Sequence, residues 1–598
     1  MVMSLMRNIL SLLIGCLIGA LCLSSIEAEE LLGSMTLHRV QLELTSDQWQ
    51  ILEPKEREPL SDPRRFGSGV SRDTDFSQVH ADLRLDNQLI TNVALRYKGH
   101  GTYRQSRAGL KRPFKLDLNG FSKGRSVEGT GKINFNNTVA DPSFMNEAIA
   151  YELYRQAGVA APKTAYAEVS VTVLNRYTNR FLGLYTVVEN PDQSWASRHF
   201  GTRKGMILKP TSQDLFHYKG DDWWSYRENY DPKTTVQEAQ ARRLIVLARL
   251  VTLADDEEFS RRVPEFIDLA VFARFMAVTV AISSLDSILG PEGNLIVYLD
   301  PRTRQFVFVP WDLDQAFGGV SRLGTQEQRE RLSLSKPWSG TNRFLERMFH
   351  LNGFQTAYRA GLETLLVGPF QTDWMAAKIT SYAVALRPIV TLEGPLILDR
   401  FERSLAGETV PPLGPDGQLQ STGPTEVTNF SRPIRSFVEA RRRSLLRQLS
   451  GEEEGLRIES THFETVTVSV AARFAAKVAT KLDRDGNGTI TRTEMAQALE
   501  GYHAEWTRST SSILTLAALS KELRAWDDVG LIGRSVPAEF LARRILSQLD
   551  RDRSGGLSRS EFSGGFLLWF TAWIKSASGQ IDVASITEHL TTEILSSH

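Results

Sequence analysis

Cysteine is close to absent from this chain of 598 residues: Cys16 and Cys22 are the only two, and both lie near the N-terminus. A disulfide framework and a cysteine-ligated zinc site are thereby excluded. A charge surplus is missing too, with 70 Lys+Arg against 70 Asp+Glu, so no nucleic-acid partner is expected. Beyond the N-terminal run no apolar stretch is long enough to span a bilayer; Phe566–Ile574 is apolar but far too short. His-Glu-x-x-His and Cys-x-x-Cys are absent as catalytic or metal signatures. Gly129-Thr130-Gly131-Lys132 has the look of a phosphate loop, but Ser126 stands where the upstream Gly belongs and Ile133 follows the Lys. It reads as a turn into a strand.

Hydrophobic residues at 41% and aromatics at 9% are enough for sizeable cores. At roughly 150 residues per domain, the length corresponds to two to four domains. Both cysteines sit in the apolar run Ile9–Leu23, with Arg7 before it and Glu27, Glu29 and Glu30 after it. A basic start, an apolar core and the small residue Ala28 read as a secretory signal peptide over 1–28. Two alternatives stay open. One is an uncleaved anchor, since about fifteen apolar residues approach a span. The other is lipidation at Cys16, since Leu13-Ile14-Gly15-Cys16 resembles a lipobox. The expected location is secreted, periplasmic or cell surface, with membrane contact only if this segment is uncleaved or lipidated.

Strand-like alternation occupies 35–50 and 80–98, with a Pro-, Gly- and charge-rich loop, Glu53–Asp75, between them. Phe114–Leu118, Lys132–Phe135, Tyr166–Leu174 and Phe181–Glu189 are further strand candidates. Asp141-Pro142-Ser143 predicts a helix start, a capping Asp followed by Pro at the first helical position, with Gly158 at the end. Thr235–Ala254 and Pro264–Ser284 are periodic as helices, and Leu295–Leu299 with Phe306–Val309 forms a hairpin. Residues 341–400 are again helical, and Ile434–Leu449 closes the unit. The expected fold class is α+β: a body over 36–448, a linker over 449–460 around Gly451–Gly455, and a helical region over 461–598.

That last region carries the strongest motif. Asp483-Arg484-Asp485-Gly486-Asn487-Gly488-Thr489-Ile490-Thr491-Arg492-Thr493-Glu494 fits a twelve-residue EF-hand calcium loop. Asp483, Asp485 and Asn487 stand at positions 1, 3 and 5, Gly488 makes the turn at 6, and Thr489 offers its carbonyl at 7. Glu494 at position 12 can give both carboxylate oxygens to a hard cation that takes six to eight oxygen ligands. Residues 550–561 repeat the pattern, with Asp550, Asp552, Ser554, the Gly556 carbonyl and Glu561 as ligands. The first loop holds three acids and two arginines, the second three acids and three arginines, so the first is expected to bind Ca2+ more tightly. The loops start 67 residues apart, wider than a compact pair allows, which leaves their mutual pairing open.

In the body, Ser284-Leu285-Asp286 precedes Asn294, and a hairpin then leads to Pro310-Trp311-Asp312-Leu313-Asp314-Gln315-Ala316-Phe317-Gly318. An Asp, an Asn after a short turn, and a second Asp before a Gly-containing turn can hold a divalent metal against a triphosphate. Phosphoryl transfer depends on such positioning and charge neutralisation. On this reading Asp286 is base or metal-adjacent carboxylate, Asn294 a metal ligand and Asp312 the principal metal ligand.

With Arg96-Tyr97-Lys98-Gly99-His100-Gly101, Lys111-Arg112-Pro113-Phe114-Lys115, Glu152–Gly158, Gly183–Glu189, Ile207-Leu208-Lys209-Pro210 and Val309–Asp314, the chain resembles the CotH family of secreted, spore-coat-type atypical protein kinases. The resemblance covers roughly 36–448. It implies a divergent protein-kinase-like, two-lobed body that uses ATP with Mg2+ or Mn2+ to phosphorylate secreted or surface proteins, itself among them. By position, Asp286 is similar to the family's catalytic-loop Asp and Asp312 to its metal-binding Asp. For the nucleotide, Lys98 in a Gly-containing turn and Lys115 on a strand are the candidates, with Glu152, or Glu147 in its place, as the helix partner of Lys115. Asn146-Glu147 stands where the family often has Arg-Asn. The alternative is a non-catalytic calcium-binding surface, coat-assembly or adhesion protein on the same fold.

Overall fold

Period-two alternation carries the first part of the chain into seven strands. The computed structural model describes residues 31–53, 76–411, 413, 433–458 and 479–589, except 34, 100, 212–214, 228, 292, 321–322, 508–512, 526–541, 543–544, 547–548, 553, 574–579, 584 and 587–588. The expected signal peptide lies outside the described residues. Strands β1 (Leu37–Leu44), β2 (Val79–Leu85), β3 (Gln88–Tyr97), β4 (Phe114–Asp117), β5 (Lys132–Asn136), β6 (Thr164–Val173) and β7 (Tyr177–Glu189) close into a barrel in the order β1-β2-β3-β4-β5-β7-β6. Neighbours are antiparallel except β1 and β6, which run parallel with Leu37 opposite Tyr166. Val40, Leu42, Leu83, Val93, Leu116 and Ile133 fill a core of their own.

The stretch 80–98 is two strands, because Asp86 adopts φ 51° and the Asp86-Asn87 turn reverses the chain. The strand expected over 35–50 stops at Leu44, where Thr45 and Gln48 cap each other reciprocally and start the helix Ser46–Leu52.

A second sheet follows: β8 (Met206–Pro210), β9 (Tyr230–Pro232), β10 (Leu295–Leu299) and β11 (Phe306–Pro310), in the order β11-β10-β8-β9. Packed around it are α1 (Asn146–Gln156), α2 (Glu238–Leu253), α3 (Leu269–Ala281), α4 (Asn352–Val367), α5 (Thr372–Leu392) and α6 (Ile434–Ser450). From Phe272 to Ala281 every α3 side chain but Arg274 is buried, as a helix apolar on all sides must be. Helix α6 is fastened by Arg441, whose guanidinium donates to the carbonyls of Leu332 at 2.7 Å and Val280 at 3.0 Å. Burial pushes its pKa down to about 10.

A largely buried ion pair ties the barrel to the helices. Lys111 Nζ donates to both oxygens of Glu393, just after α5, at 2.6 and 2.8 Å, and Glu393 also accepts the Leu184 N–H at 2.7 Å. Gly183 is required beside it: a Cβ there would lie 2.7 Å from Lys111 Cε, and its φ is 137°.

Residues 451–458, expected as linker, pack on the body instead. Glu453 accepts from Arg331 and Ser444 at 3.0 Å, Leu456 bridges to Leu332, and Ile458 is buried. The reason is local: Gly451, at φ 81°, ends α6 and turns the chain back along it.

The C-terminal unit has a separate core and is a repeat. Strand β12 (Thr489–Thr491) and helix α7 (Arg492–Trp506), followed by β13 (Leu514–Thr515), recur 67 residues later as β14 (Gly556–Leu557), α8 (Arg559–Trp573) and β15 (Gln580–Asp582). The two twelve-residue loops do not pair with one another. β12 pairs with β15, and β13 with β14. Of the entering helix expected at 471–482, residues 479–482 are described and helical.

Candidate active site

The site is assembled where α1 meets the barrel and the β10–β11 hairpin. Helix α1 starts later than its sequence predicts, at Asn146, because Asp141 caps it from one turn upstream. Asp141 accepts Ser143 N–H at 2.9 Å, Ser143 Oγ–H at 2.6 Å and Asn146 N–H at 2.8 Å, with Phe144 at φ 62°. This places Asn146, Glu147 and Tyr151 on the inward side. Asn146 Nδ2 donates to the Asp314 carbonyl at 2.9 Å, and the Tyr151 hydroxyl accepts the Asp312 N–H at 3.1 Å. The turn Asp312–Asp314 is thus held from α1 by two contacts to its backbone.

Register brings the rest. Leu295 lies opposite Pro310, so Asn294 and Trp311 leave their strands at the same sheet edge. Asp286 follows α3 and is 7% exposed; its Oδ2 accepts from Asn294 Nδ2 at 3.1 Å and from Gln315 Nε2 at 3.3 Å. Asp312 sits at φ 61°, a left-handed conformation that Asp and Asn tolerate best after Gly.

From the barrel, Lys98 Nζ donates to Asn136 Oδ1 at 2.5 Å, and Asn136 Nδ2 donates to Glu147 Oε2 at 2.7 Å. The other Glu147 oxygen is buried without a hydrogen-bond partner. Burial first, and then the Asp312 charge, push the Glu147 carboxyl up to about 7. Asp314 is driven well above the usual carboxylate range by burial and by Asp312, Glu147 and Asp286. These carboxylates share one buried, acidic neighbourhood with Lys98, whereas among the described residues only the two C-terminal loops bring three carboxylate oxygens within 4.8 Å of one another.

Two expected residues are elsewhere. Glu152 pairs with Lys378 on α5 at 2.5 Å, not with Lys115. It lies five residues past Glu147, which rotates it ~140° around the helix, away from the cluster. Lys115 Nζ donates to Asn190 Oδ1 at 2.7 Å, at the end of β7. Lys98, Asn136 and Glu147 form the lysine–carboxylate link instead. Glu147 and Tyr151, four apart on one helix face, are the sequence signal that would have picked this helix side.

Two loop motifs carry no such site. Gly129-Thr130 is a tight turn into β5, bridged Val127 to Thr130. Gly120-Phe121-Ser122-Lys123-Gly124 matches the letters of a nucleophile elbow, yet it connects two antiparallel strands and no helix follows it.

In the C-terminal unit, one carboxylate oxygen from each of Asp483, Asp485 and Glu494 lie within 4.8 Å of one another, and so do those of Asp550, Asp552 and Glu561. Asp483 accepts the N–H groups of Asn487 at 3.1 Å and Gly488 at 2.9 Å; Asp550 accepts those of Ser554 at 3.0 Å and Gly555 at 2.9 Å. Gly488 and Gly555 take φ of 81° and 82°, the turn that lets the loop fold back on its first Asp. Thr489 and Gly556 begin β12 and β14. Backbone and hydroxyl hydrogen bonds from Thr491 hold the Glu494 carboxyl below its usual range.

Residues 95–445, more than half of the chain, match the family model described as CotH kinase protein. The chain is also similar to the inner spore coat protein H of Bacillus subtilis (strain 168), 22% identical over 278 residues, which cover 46% of this chain and 72% of that protein.

Proposed function

The chain belongs to the CotH kinase protein family, and from that premise we propose that it is an exported protein kinase. It transfers the ATP γ-phosphate to Ser or Thr of secreted or surface proteins, itself among them, on a two-lobed kinase-like body followed by an EF-hand region. The observation that carries this reading is the convergence of Asp286, Asn294 and the Asp312 turn with the Lys98–Asn136–Glu147 link. Asp286, oriented by Asn294 and Gln315, accepts the proton of the acceptor hydroxyl. Asp312 and Asn294 would hold the Mg2+ or Mn2+, which when bound neutralises phosphate charge. Lys98, anchored through Asn136, supplies positive charge beside the same cluster. Among the described residues no helix is long and apolar enough to cross a membrane.

The test is incorporation of labelled γ-phosphate by the chain from Glu29 onward, with Mg2+ or Mn2+. Incorporation on Ser or Thr is expected. No incorporation, together with no nucleotide-induced rise in melting temperature, would overturn the reading in favour of a calcium-binding coat or adhesion protein. Within the reading, Lys98→Ala should lower transfer by about tenfold or more, and Lys115→Ala by about threefold at most, since only Lys98 reaches the acidic cluster. Rates of the two variants measured side by side decide between the lysines.

The two acidic loops are read as EF-hand calcium sites. Loop charge ranks them, and calorimetric titration is expected to give the tighter site to 483–494. A tighter site at 550–561, found with Glu494→Gln and Glu561→Gln separating the two, would reverse that order.

A further inference from the structure

Each acidic loop is paired with a strand that belongs to the other repeat, and the segment around that strand lacks the carboxylates of a calcium loop at positions 1, 3, 5 and 12. Counted in the register of 483–494, the segment holding β13 is 507–518 and the segment holding β15 is 574–585. Their positions 1, 3, 5 and 12 are Thr507, Ser509, Ser511 and Ala518, and Ile574, Ser576, Ser578 and Ser585. Neither offers a carboxylate there. The unit therefore has one acidic loop per repeat, and each is completed by the opposite repeat.

This crossing links the start of each long helix to the strand that follows the other. Helix α7 begins inside the first loop, at Arg492 with Glu494 in its first turn, and β13, which follows it in the chain, pairs with β14 of the second loop. Helix α8 begins inside the second loop, at Arg559 with Glu561 in its first turn, and β15, which follows it in the chain, pairs with β12 of the first loop. Side chains reinforce the link. His503, near the end of α7, hydrogen-bonds the Leu557 carbonyl of β14 at 3.3 Å, and Trp506 meets Phe562 of α8 edge-on at 5.7 Å. Ile490 faces Ile581 and Leu514 faces Leu557 across the two bridges, all four buried.

From this geometry we infer that the two calcium sites are positively coupled, although their loops never touch through a strand bridge. The inference rests on the calcium reading of the two loops. Metal at 483–494 sets the start of α7 and, through β12–β15, the end of α8; metal at 550–561 sets the start of α8 and, through β14–β13, the end of α7. Whichever site fills first orders the helix pair on which the other is built, so the second ion binds to a unit already arranged.

The experiment is a calorimetric Ca2+ titration of the full chain beside Glu561→Gln and Glu494→Gln, with hydrogen exchange followed in parallel. The wild type should take up two ions along an isotherm steeper than two independent sites give. Glu561→Gln should weaken 483–494 by ~5–150-fold, and Glu494→Gln should weaken 550–561 by the same factor, because coupling is reciprocal. Hydrogen exchange separates coupling from simple unfolding. In Glu494→Gln, calcium should still protect the start of α8, while protection is lost at 580–582. Two ions bound by the wild type, with the remaining site of each variant at unchanged affinity, would overturn the coupling and leave the calcium sites standing. No calcium uptake by the wild type would remove the calcium reading, and this inference with it.

Discussion

Asp312→Asn is expected to lower γ-phosphate transfer by on the order of 10³-fold while leaving the protein at least as stable as before. The two effects have one origin. Burial first, and then the Asp312 charge, raise the Glu147 and Asp314 carboxyls, so the Asp312 charge is repelled by what negative charge its neighbours keep. Removing one charge relieves that repulsion and also removes the anion that would hold the metal. Asparagine is the right replacement because it keeps the side-chain shape and tolerates φ 61°, where alanine would add backbone strain. The N–H to Tyr151 survives the change. Transfer rate and melting temperature should move in opposite directions, as is common where an active site is held against its own stability. Activity within tenfold of the wild type would exclude Asp312 as the principal metal ligand.

Glu393→Ala should destabilise the body by about 3–5 kcal/mol, the range for removing one partner of a buried ion pair. Lys111 is 19% exposed and Glu393 8%, so neither charge has water to fall back on. Burial already pulls the Lys111 pKa down, and Glu393 is the group that opposes this. Alanine also strips the Leu184 N–H of its acceptor. Glu393→Gln keeps that acceptor and should cost less. The double variant Lys111→Met with Glu393→Leu should recover most of the loss, since apolar residues of similar volume need no counter-charge. Denaturant midpoints of the wild type, Lys111→Met, Glu393→Leu and the double variant give the coupling energy; a double variant as unstable as Glu393→Ala would mean that packing, not charge, holds this joint.

How much of this could be read along the chain depends on whether a feature is local. Each acidic loop is contiguous, so its ligand pattern stands in the sequence at fixed offsets. The Asp286, Asn294 and Asp312 set is nearly as local, because one hairpin spans it and its register follows from the turn. The Lys98–Asn136–Glu147 link is not: three elements meet there, and none of their offsets is periodic in the sequence. Glu152 lies ~140° round α1 from Glu147 and faces Lys378 on α5, and the sequence alone does not fix which side of that helix meets the cluster. The 67-residue repeat is written in the chain as Arg492-Thr493-Glu494 and Arg559-Ser560-Glu561, with Trp506 and Trp573 closing the two helices. Its crossed pairing rests on bridges of two and three residues between distant segments, which leave no mark in composition or spacing.

The barrel seam sets the order in which the molecule can form. Leu37 meets Tyr166, a partner 129 positions later, and only then does β1 gain its second neighbour. Closing so long a stretch is entropically slow, and contacts of this separation are late events in folding. Until Thr164–Val173 has emerged, the N-terminal sheet is an open ribbon with two bare rims, ready to add strands from other chains. A chain threaded through a narrow passage from its N-terminus would therefore stay unclosed for more than a quarter of its length, and the seam would be sewn on the far side.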